Sequence, residues 1–275
     1  MNTALPGPVL IKGAGDLASG VAHRLYRAGF DIIMLELPQP LVVRRTASFA
    51  EAVFRGETVL EEVKARFCPT AESADRILQR KEIPVIVDPA GQSRLRFNPP
   101  VLIDAIMAKR NTGTALSDAP LVIGLGPGFS AGSDVHVVVE TMRGHKLGRV
   151  IYEGEAEANT DLPGEVGGKD LERLLRSPGE GRFEPLCSIG DLVEKGQLVA
   201  KVGAGEIIAA TGGLIRGLLY PGILVKPGMK VGDIDPRGSS VDWRTISDKA
   251  RSIGGGVLEA VMHHFFFREI DREGS

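Results

Sequence analysis

The feature that most constrains the fold lies at residues 9–20, where a short apolar strand leads into a Gly-x-Gly turn and then a helical pattern. In a dinucleotide-binding βαβ unit, the first glycine allows a tight turn and the second lets backbone amides approach a pyrophosphate. A third small residue lets the helix pack on the strand. These positions are occupied here by Gly13, Gly15 and Ala18. The pattern predicts either a phosphate-binding turn or a glycine turn that serves only strand–helix packing.

Charged residues near this turn refine the prediction. Glu36 ends the next apolar segment, at the spacing from which a carboxylate binds a ribose diol. Asp16 lies at the start of the helix, where it favours the helix dipole but repels a phosphate placed close to it. Arg44 and Arg45 follow the second strand, a position suited either to a phosphate contact or to a solvated turn.

Composition excludes several classes of protein. The chain has 275 residues, of which 43% are hydrophobic and 25% charged, so it can form one large domain or two. A net charge of −2 favours neither nucleic acid nor a membrane surface as a partner. The two cysteines, Cys68 and Cys187, have no metal-binding spacing, and no leader-like or long apolar segment is present. We therefore expect a cytoplasmic protein.

Strand-like and helix-like segments alternate up to about residue 125, which is typical of a parallel sheet with crossover helices. The predicted strands are 8–12, 31–36, 84–88, 101–104 and 120–124. The predicted helices are 17–28, 72–80 and 104–110, with a weaker one at 46–54. The pattern predicts a Rossmann-like α/β domain over residues 1–183 that binds a nucleotide or another cofactor.

A second glycine-rich loop follows the predicted strand 120–124. Gly126 and Gly128 offer backbone amides to an anion, and Ser130 adds a hydroxyl donor. Ligands of open α/β sheets bind outside the carboxyl ends of the strands, which favours a binding role for this loop. The alternative is a tight turn in which the glycines are needed for packing.

Three further residues are candidates for catalysis. Asp88 and Asp104 directly follow apolar strands, where a carboxylate is well placed for general-base chemistry or Mg²⁺ binding. Asp88 equally suits the start of a turn, and Asp104 equally suits a helix cap. Lys109 is a candidate phosphate-binding cation. His136, Glu140 and His145 lack the spacing of a compact metal motif, so no metal site is predicted.

The segment 159–168 is rich in glycine and proline, which indicates a long loop. Asn159, Thr160 and Asp161 in this loop are candidates for binding a polar ligand.

An internal repeat marks the second half of the chain. Residues 190–202 and 222–234 share glycines and valines at an offset of 32 residues, which predicts two similar β-hairpin units. The pattern resembles the half-motif of biotinyl and lipoyl barrel-sandwich domains. Segment 203–217 contains no lysine, so attachment of either group is not expected. We predict a small barrel-sandwich-like β domain at 184–236 and a C-terminal segment, 237–275, whose helix returns to the first domain.

Beyond these motifs, the chain resembles the YqeB family of selenium-dependent molybdenum hydroxylase accessory proteins over nearly its whole length. The strings that carry the resemblance are Ile11–Tyr26, Ala105–Asn111, Leu125–Gly132, Glu140–His145 and Ile246–Arg251. The family is distantly similar to XdhC-type factors, which have a Rossmann-like domain and handle the molybdopterin cofactor. The resemblance implies a role in maturing a molybdenum hydroxylase, with that enzyme as a partner.

Other functions remain open at this stage. The Gly13–Glu36 pattern alone suggests an NAD(P)-dependent oxidoreductase, although no Tyr-x-x-x-Lys pair suited to hydride chemistry is present. A non-catalytic scaffold that docks the hydroxylase through the β domain is a third possibility. The ligand expected at the glycine-rich loops is a small phosphate-bearing molecule, either a nucleotide such as NAD(P) or the molybdopterin cofactor, and the protein is a candidate homo-oligomer.

Overall fold

A computed structural model describes residues 5–158, 168–169 and 171–267. The chain divides into two compact units. The first comprises Met1–Pro38, Phe49–Asn159 and Ile246–Ser275, and the second comprises Gln39–Ser48 and Thr160–Thr245.

The first unit is built on a sheet of nine strands. In chain order these strands are β1 (Val9–Lys12), β2 (Ile32–Glu36), β3 (Glu57–Leu60), β4 (Val63–Cys68), β5 (Ile83–Val87), β6 (Val101–Asp104), β7 (Leu121–Leu125), β9 (Val137–Val139) and β10 (Val150–Ile151). Two further short strands, β8 (Ser130–Ala131) and β11 (Gly154–Glu155), form a separate antiparallel pair. Across the large sheet the order is β10-β9-β7-β6-β1-β2-β5-β4-β3.

The sheet is mixed in direction. Its seven central strands, from β9 to β4, are parallel, whereas β3 and β10 at the two edges are antiparallel to their neighbours. Only Glu61 and Glu62 separate β3 from β4. A parallel pair needs a crossover of a dozen or more residues, so this short connection requires an antiparallel hairpin.

The predicted fold class, a Rossmann-like parallel sheet with a smaller barrel-sandwich-like domain, is therefore wrong. The main sheet has nine strands in mixed directions, and the remaining strands form additional antiparallel sheets of two, four and four strands. The β3–β4 hairpin lies between the predicted helices 46–54 and 72–80, where the sequence analysis placed no strand, and its antiparallel pairing makes this edge of the sheet mixed.

Strand β1 has a special position in this sheet. Its neighbours are β2 on one side and β6 on the other, so the chain builds the β2–β5 side first and then crosses to β6. In open α/β sheets, the crevice outside the carboxyl ends of the strands at such a reversal is the usual ligand position. The loop after β1 begins at this crevice.

The described residues of the first unit form five α-helices: α1 (Asp16–Arg27), α2 (Glu51–Arg55), α3 (Ala74–Gln79), α4 (Ser93–Phe97) and α5 (Asp248–Met262). Helix α1 agrees with the predicted helix 17–28, and its buried face includes Ala18, Val21 and Leu25. The helix predicted at 104–110 is absent, because Met107 and Lys109 both adopt a positive φ of 61°. Such a backbone ends any right-handed helix.

Helices α1 and α5 approach each other closely. A Cβ atom at Gly20 of α1 would lie 2.6 Å from the Cβ atom of Ala250 in α5, which is shorter than any ordinary contact. A Cβ atom at Gly254 would lie 3.0 Å from the carbonyl oxygen of Gly20. The glycines at the contact therefore allow the two backbones to pack together despite their unfavourable helix propensity.

The second unit contains two four-stranded antiparallel sheets. Its strands are β12 (Leu174–Arg176), β13 (Gly181–Pro185), β14 (Leu192–Val193), β15 (Leu198–Val202), β16 (Gly205–Ile208), β17 (Gly213–Leu218), β18 (Leu224–Val225) and β19 (Lys230–Asp235). One sheet has the order β12-β19-β17-β14 and the other β16-β15-β13-β18. The repeat in the sequence corresponds to β14–β15 and β18–β19, whose starting residues share the offset of 32.

No helix among the described residues has the length and apolar character needed to cross a membrane.

Candidate functional site

The loop after β1 leads directly into the N-terminus of α1. Gly13 has a φ of +94°, and a Cβ atom there would lie 2.9 Å from the carbonyl oxygen of Ala105, so only glycine fits. Gly15 is the N-cap of α1 and supplies no side-chain cap. In the described part of the chain, the amides of Leu17 and Ala18 have no hydrogen-bond acceptor. The first turn of α1 thus presents open donors at the positive end of the helix dipole.

Glu36 fixes the shape of this loop. One of its carboxylate oxygens accepts a hydrogen bond of 2.8 Å from the amide of Ala14, and the other accepts one of 2.7 Å from Leu37. Burial raises the pKa of Glu36, and these two hydrogen bonds only partly oppose that effect. The carboxylate predicted to bind a ribose therefore also holds the glycine-rich loop against the end of β2.

Charged groups surround the start of α1. Burial lowers the pKa of Lys249, at the start of α5, and the nearby Arg143 lowers it further. Asp16 and Glu140 act in the opposite direction on the same ammonium group. Arg143 itself binds Asp248 at 2.9 and 3.1 Å. Asp16 at the first position of α1 is thus coupled electrostatically to a half-buried lysine.

A second group of polar side chains lies at the carboxyl ends of β1 and β6. Lys12 and Asp104 occupy paired positions of these parallel strands. The Nζ atom of Lys12 lies 3.3 Å from a carboxylate oxygen of Asp104, with side-chain exposures of 13% and 1%. The hydroxyl of Thr114 donates to the same oxygen at 2.6 Å and accepts from Lys12 at 2.5 Å. The three side chains form one buried, hydrogen-bonded cluster.

Asn111 brings Thr114 to this cluster. Its side-chain oxygen accepts hydrogen bonds from the amides of Gly113 and Thr114, and its amide group donates to the carbonyl of Thr114. The other carboxylate oxygen of Asp104 accepts from the amide of Ile106 at 3.1 Å. Asp104, predicted as a catalytic base or cap, therefore forms an ion pair with Lys12 and accepts hydrogen bonds from Thr114 and a backbone amide.

The second glycine-rich loop is filled by its own neighbours. A Cβ atom at Gly124 would lie 2.5 Å from the ring of Phe129, and one at Gly126 would overlap the side chain of Thr141. At Gly128, a Cβ atom would lie 2.5 Å from the amide nitrogen of Arg110. The chain continues from this loop into β8, with no helix. These glycines permit close packing, and the binding role assigned to them stays a prediction.

The remaining predicted residues lie in or after other strands. The amide of Ser130 donates to Asp134 at 3.1 Å. Asp88 follows β5 and accepts a hydrogen bond of 2.6 Å from the amide of Ser93. Burial would raise the pKa of Asp88, but that bond and the amides of Gln92 and Gly91 lower it overall. Lys109 is exposed in the loop after β6. Asn159, Thr160 and Asp161 lie outside the described residues.

Three residues of this region were missed by the sequence analysis: Lys12, Thr114 and Lys249. The available signal for Lys12 was its position, since it ends an apolar strand just as Asp104 does. Thr114 and Lys249 gave no such signal, because their positions depend on the turn at Asn111 and on the packing of α5. Among the described residues, no group of three or more acidic, histidine or cysteine side chains is arranged to hold a metal ion.

Comparison with known proteins gives one strong similarity in sequence. The chain is 51% identical over 254 residues to the "Uncharacterized protein YqeB" of Escherichia coli K12, covering 92% of this chain and 47% of that protein. The chain thus spans about half the length of this curated relative. No family model matches. The identity supports the relationship to the YqeB family indicated by the sequence motifs.

Similarities to solved structures are weak. The ectoine utilization protein EutE (DoeB) of Ruegeria pomeroyi has 14% identity and a TM-score of 0.25, covering 83% of this chain and 85% of that one. An aspartoacylase family protein of Mesorhizobium loti has 11% identity and a TM-score of 0.25, covering 83% and 85%. At these scores, neither structure assigns an activity to this chain.

The predicted function, maturation of a molybdenum hydroxylase, is corrected by these comparisons. The solved structures are named for aspartoacylase and ectoine-utilization proteins, and the YqeB relative is named uncharacterized. None of these names indicates an accessory protein of a molybdenum hydroxylase. They equally give no support to a nicotinamide-dependent oxidoreductase or to a scaffold for the hydroxylase.

Proposed function

We propose that the first unit binds a small phosphate-bearing ligand at the loop after β1, over the N-terminus of α1. The observation that carries this proposal is the uncapped first turn of α1, whose Leu17 and Ala18 amides have no acceptor within the described ranges. Backbone amides at a helix start, together with the helix dipole, form an anion-binding site.

The position of the turn supports the proposal. It lies where strand order reverses about β1, which is the crevice that ligands of open α/β sheets use. Glu36 holds the loop through the amide of Ala14, so the loop is ordered before any ligand arrives. A preorganised site loses less conformational entropy on binding.

Calorimetric titration with inorganic pyrophosphate tests the proposal. Gly15 has φ −65° and ψ −179°, a conformation that alanine also adopts, so Gly15→Ala adds a methyl group without straining the backbone. If pyrophosphate approaches this glycine closely, Gly15→Ala weakens binding by about tenfold, the equivalent of one good hydrogen bond.

Gly255→Ala is the matched control. It makes the same chemical change in the same unit, and its Cβ atom would meet no other atom within 4 Å. This variant should bind pyrophosphate as the wild type does. The proposal fails if the wild type does not bind pyrophosphate, or if Gly15→Ala and Gly255→Ala bind it equally well.

A further inference from the structure

Among the described residues, no side chain of the cluster of Lys12, Asp104 and Thr114 hydrogen-bonds to the glycine-rich loop at 13–15. The cluster lies at the carboxyl ends of the adjacent strands β1 and β6, beside the same crevice. The backbone connects the two regions directly, because the amide of Ala105 donates to the carbonyl of Lys12 and Ala105 also packs against Gly13. Any ligand bound over Gly13 is therefore close to the end of β1 that carries Lys12.

A buried ion pair such as that of Lys12 and Asp104 contributes little to the stability of the fold. Removing both charges from water costs energy that their attraction repays only partly, so buried pairs are often no better than apolar side chains. The ammonium group of Lys12 is nevertheless held by the ion pair with Asp104 and by a hydrogen bond to Thr114. An ammonium group has three donors. In the described ranges, Lys12 has no partner beyond these two, so at least one donor is left for a ligand.

The stem of Lys12 is also confined. Gly91, in the turn after β5, is so near that a Cβ atom there would lie 3.9 Å from the Cε atom of Lys12. Because the side chain keeps 13% exposure, the ammonium group is held in place without being sealed from solvent. A fixed cation with a spare donor is suited to bind an anionic group.

We infer that Lys12 binds an anionic group of the ligand and that Asp104 and Thr114 are positioning residues that hold its ammonium group in the crevice. This inference rests on the proposed function, since it assigns a further contact to the same ligand. The ligand would then be an anion large enough to reach from the start of α1 to the end of β1. Inorganic pyrophosphate is large enough to contact both the first turn of α1 and Lys12, whereas inorganic phosphate contacts only one of them. Comparing their affinities therefore tests whether the ligand makes both contacts.

The first test measures the affinity of Lys12→Met for pyrophosphate. Loss of a charge-assisted hydrogen bond should weaken binding by about tenfold or more. The single variant leaves Asp104 as a buried, unpaired charge, so Lys12→Met/Asp104→Asn is measured beside it to remove both charges. Phosphate, which is too small to span both contacts, should lose less affinity than pyrophosphate in both variants.

The second test separates positioning from packing at Thr114, which is 3% exposed. Thr114→Ser keeps the hydroxyl and removes a methyl group, whereas Thr114→Val keeps the shape and removes the hydroxyl. If the hydroxyl positions Lys12, pyrophosphate affinity falls severalfold in Thr114→Val and is retained in Thr114→Ser. A purely structural Thr114 would instead leave the affinity of both folded variants unchanged.

The outcomes separate this inference from the proposed function. If the wild type does not bind pyrophosphate, both are wrong. If the wild type binds and Gly15→Ala weakens binding, but Lys12→Met/Asp104→Asn binds as the wild type does, only the assignment of Lys12 is overturned. Equal affinities of Thr114→Ser and Thr114→Val overturn the positioning role of the hydroxyl.

Discussion

The loop after β1 and the loop after β7 both follow buried apolar strands, and both contain a Gly-x-Gly sequence. In the first, Gly13 packs against the backbone of Ala105, and the chain then enters the 12-residue helix α1. In the second, a side chain or backbone of the same unit occupies the space beside Gly124, Gly126 and Gly128, and the chain enters the short strand β8.

This difference shows what a Gly-x-Gly sequence establishes. It indicates that another part of the molecule comes close to the backbone, and in both loops the structure supplies a neighbour from the protein itself. Open donors arise only where a helix of some length begins next, because the amides of its first turn have no partner within the helix. The element after the glycines, rather than the glycines themselves, distinguishes the two loops.

The largest loss of stability is expected from a substitution at Gly128, in the loop after β7. Gly128→Ala places a methyl group in a backbone with φ +102°, and the Cβ atom would lie 2.5 Å from the amide nitrogen of Arg110. Backbone strain and overpacking together should lower the free energy of unfolding by about 3–5 kcal/mol. Urea denaturation measures this loss. Pyrophosphate affinity of the folded variant should stay within about twofold of wild type.

Gly132→Ala is the control for strain alone. Its φ is +88°, but no atom lies within 4 Å of the added Cβ atom, so it should cost only about 1–2 kcal/mol. The distinction between the loops breaks down if Gly128→Ala is as stable as Gly132→Ala yet binds pyrophosphate much more weakly. In that case the second loop takes part in ligand binding.

A smaller effect is expected at Glu36, which holds the first loop. Glu36→Gln keeps one acceptor oxygen for the amides of Ala14 and Leu37 but places an amide group opposite the other, so the variant should lose about 1–3 kcal/mol. Because this change loosens the loop before α1, pyrophosphate binding should weaken as well. Chemical denaturation and calorimetry measure the two losses.

The difference in stability between the wild type and Glu36→Gln should depend on pH, and the direction of the pKa shift of Glu36 determines the sign. The folded-state pKa of Glu36 is raised above its unfolded value of about 4.3, so the native state binds the proton more tightly. The stabilisation linked to this group is full below the unfolded pKa and is lost as pH rises through the folded pKa. The stability of wild type relative to Glu36→Gln should therefore be greater at low pH than at neutral pH. A gap that widens toward neutral pH would contradict the pKa shift.

The central strands and α1 could be predicted from sequence because local patterns determine them. Apolar runs set β1, β6 and β7 to within a residue or two, and helical periodicity set α1. The β3–β4 hairpin could not be predicted in this way. Its turn uses Glu61 and Glu62 at positive φ, where glycine or asparagine is usual. Glu61 also binds the amide of Ile246 and the side chain of Arg251, which are remote in sequence.

In the candidate site, too, some features follow from local sequence patterns and others depend on residues remote in sequence. Gly13, Gly15 and Asp104 have recognisable positions in the sequence, at or just after the ends of apolar strands. Their partners depend on parallel register and loop structure, which no local pattern encodes. Thr114 reaches Asp104 only because Asn111 folds the loop back, and the segment preceding that turn has the composition of a helix. The sequence therefore indicated where the apolar strands end but not the hydrogen bonds between the side chains at those ends.

The smallest effect is expected at Asp16, the first residue of α1. A carboxylate there stabilises the helix but repels an anion bound to the first turn. Asp16→Asn should thus lower stability by about 0.3–1 kcal/mol and raise pyrophosphate affinity about twofold to fivefold. The gain should shrink at high ionic strength, because salt screens the repulsion. Calorimetric titration at low and high salt measures both effects.

Asp31→Asn makes the same change of charge just before β2, at the opposite end of the sheet, and should leave affinity unaltered. A gain for Asp16→Asn alone locates the anion at the start of α1, because Coulomb repulsion between groups further apart than a Debye length is largely screened. Equal gains for both variants would indicate a response to net charge only. A loss of affinity in Asp16→Asn would mean that the carboxylate assists binding, which the helix-dipole account of the first loop does not allow.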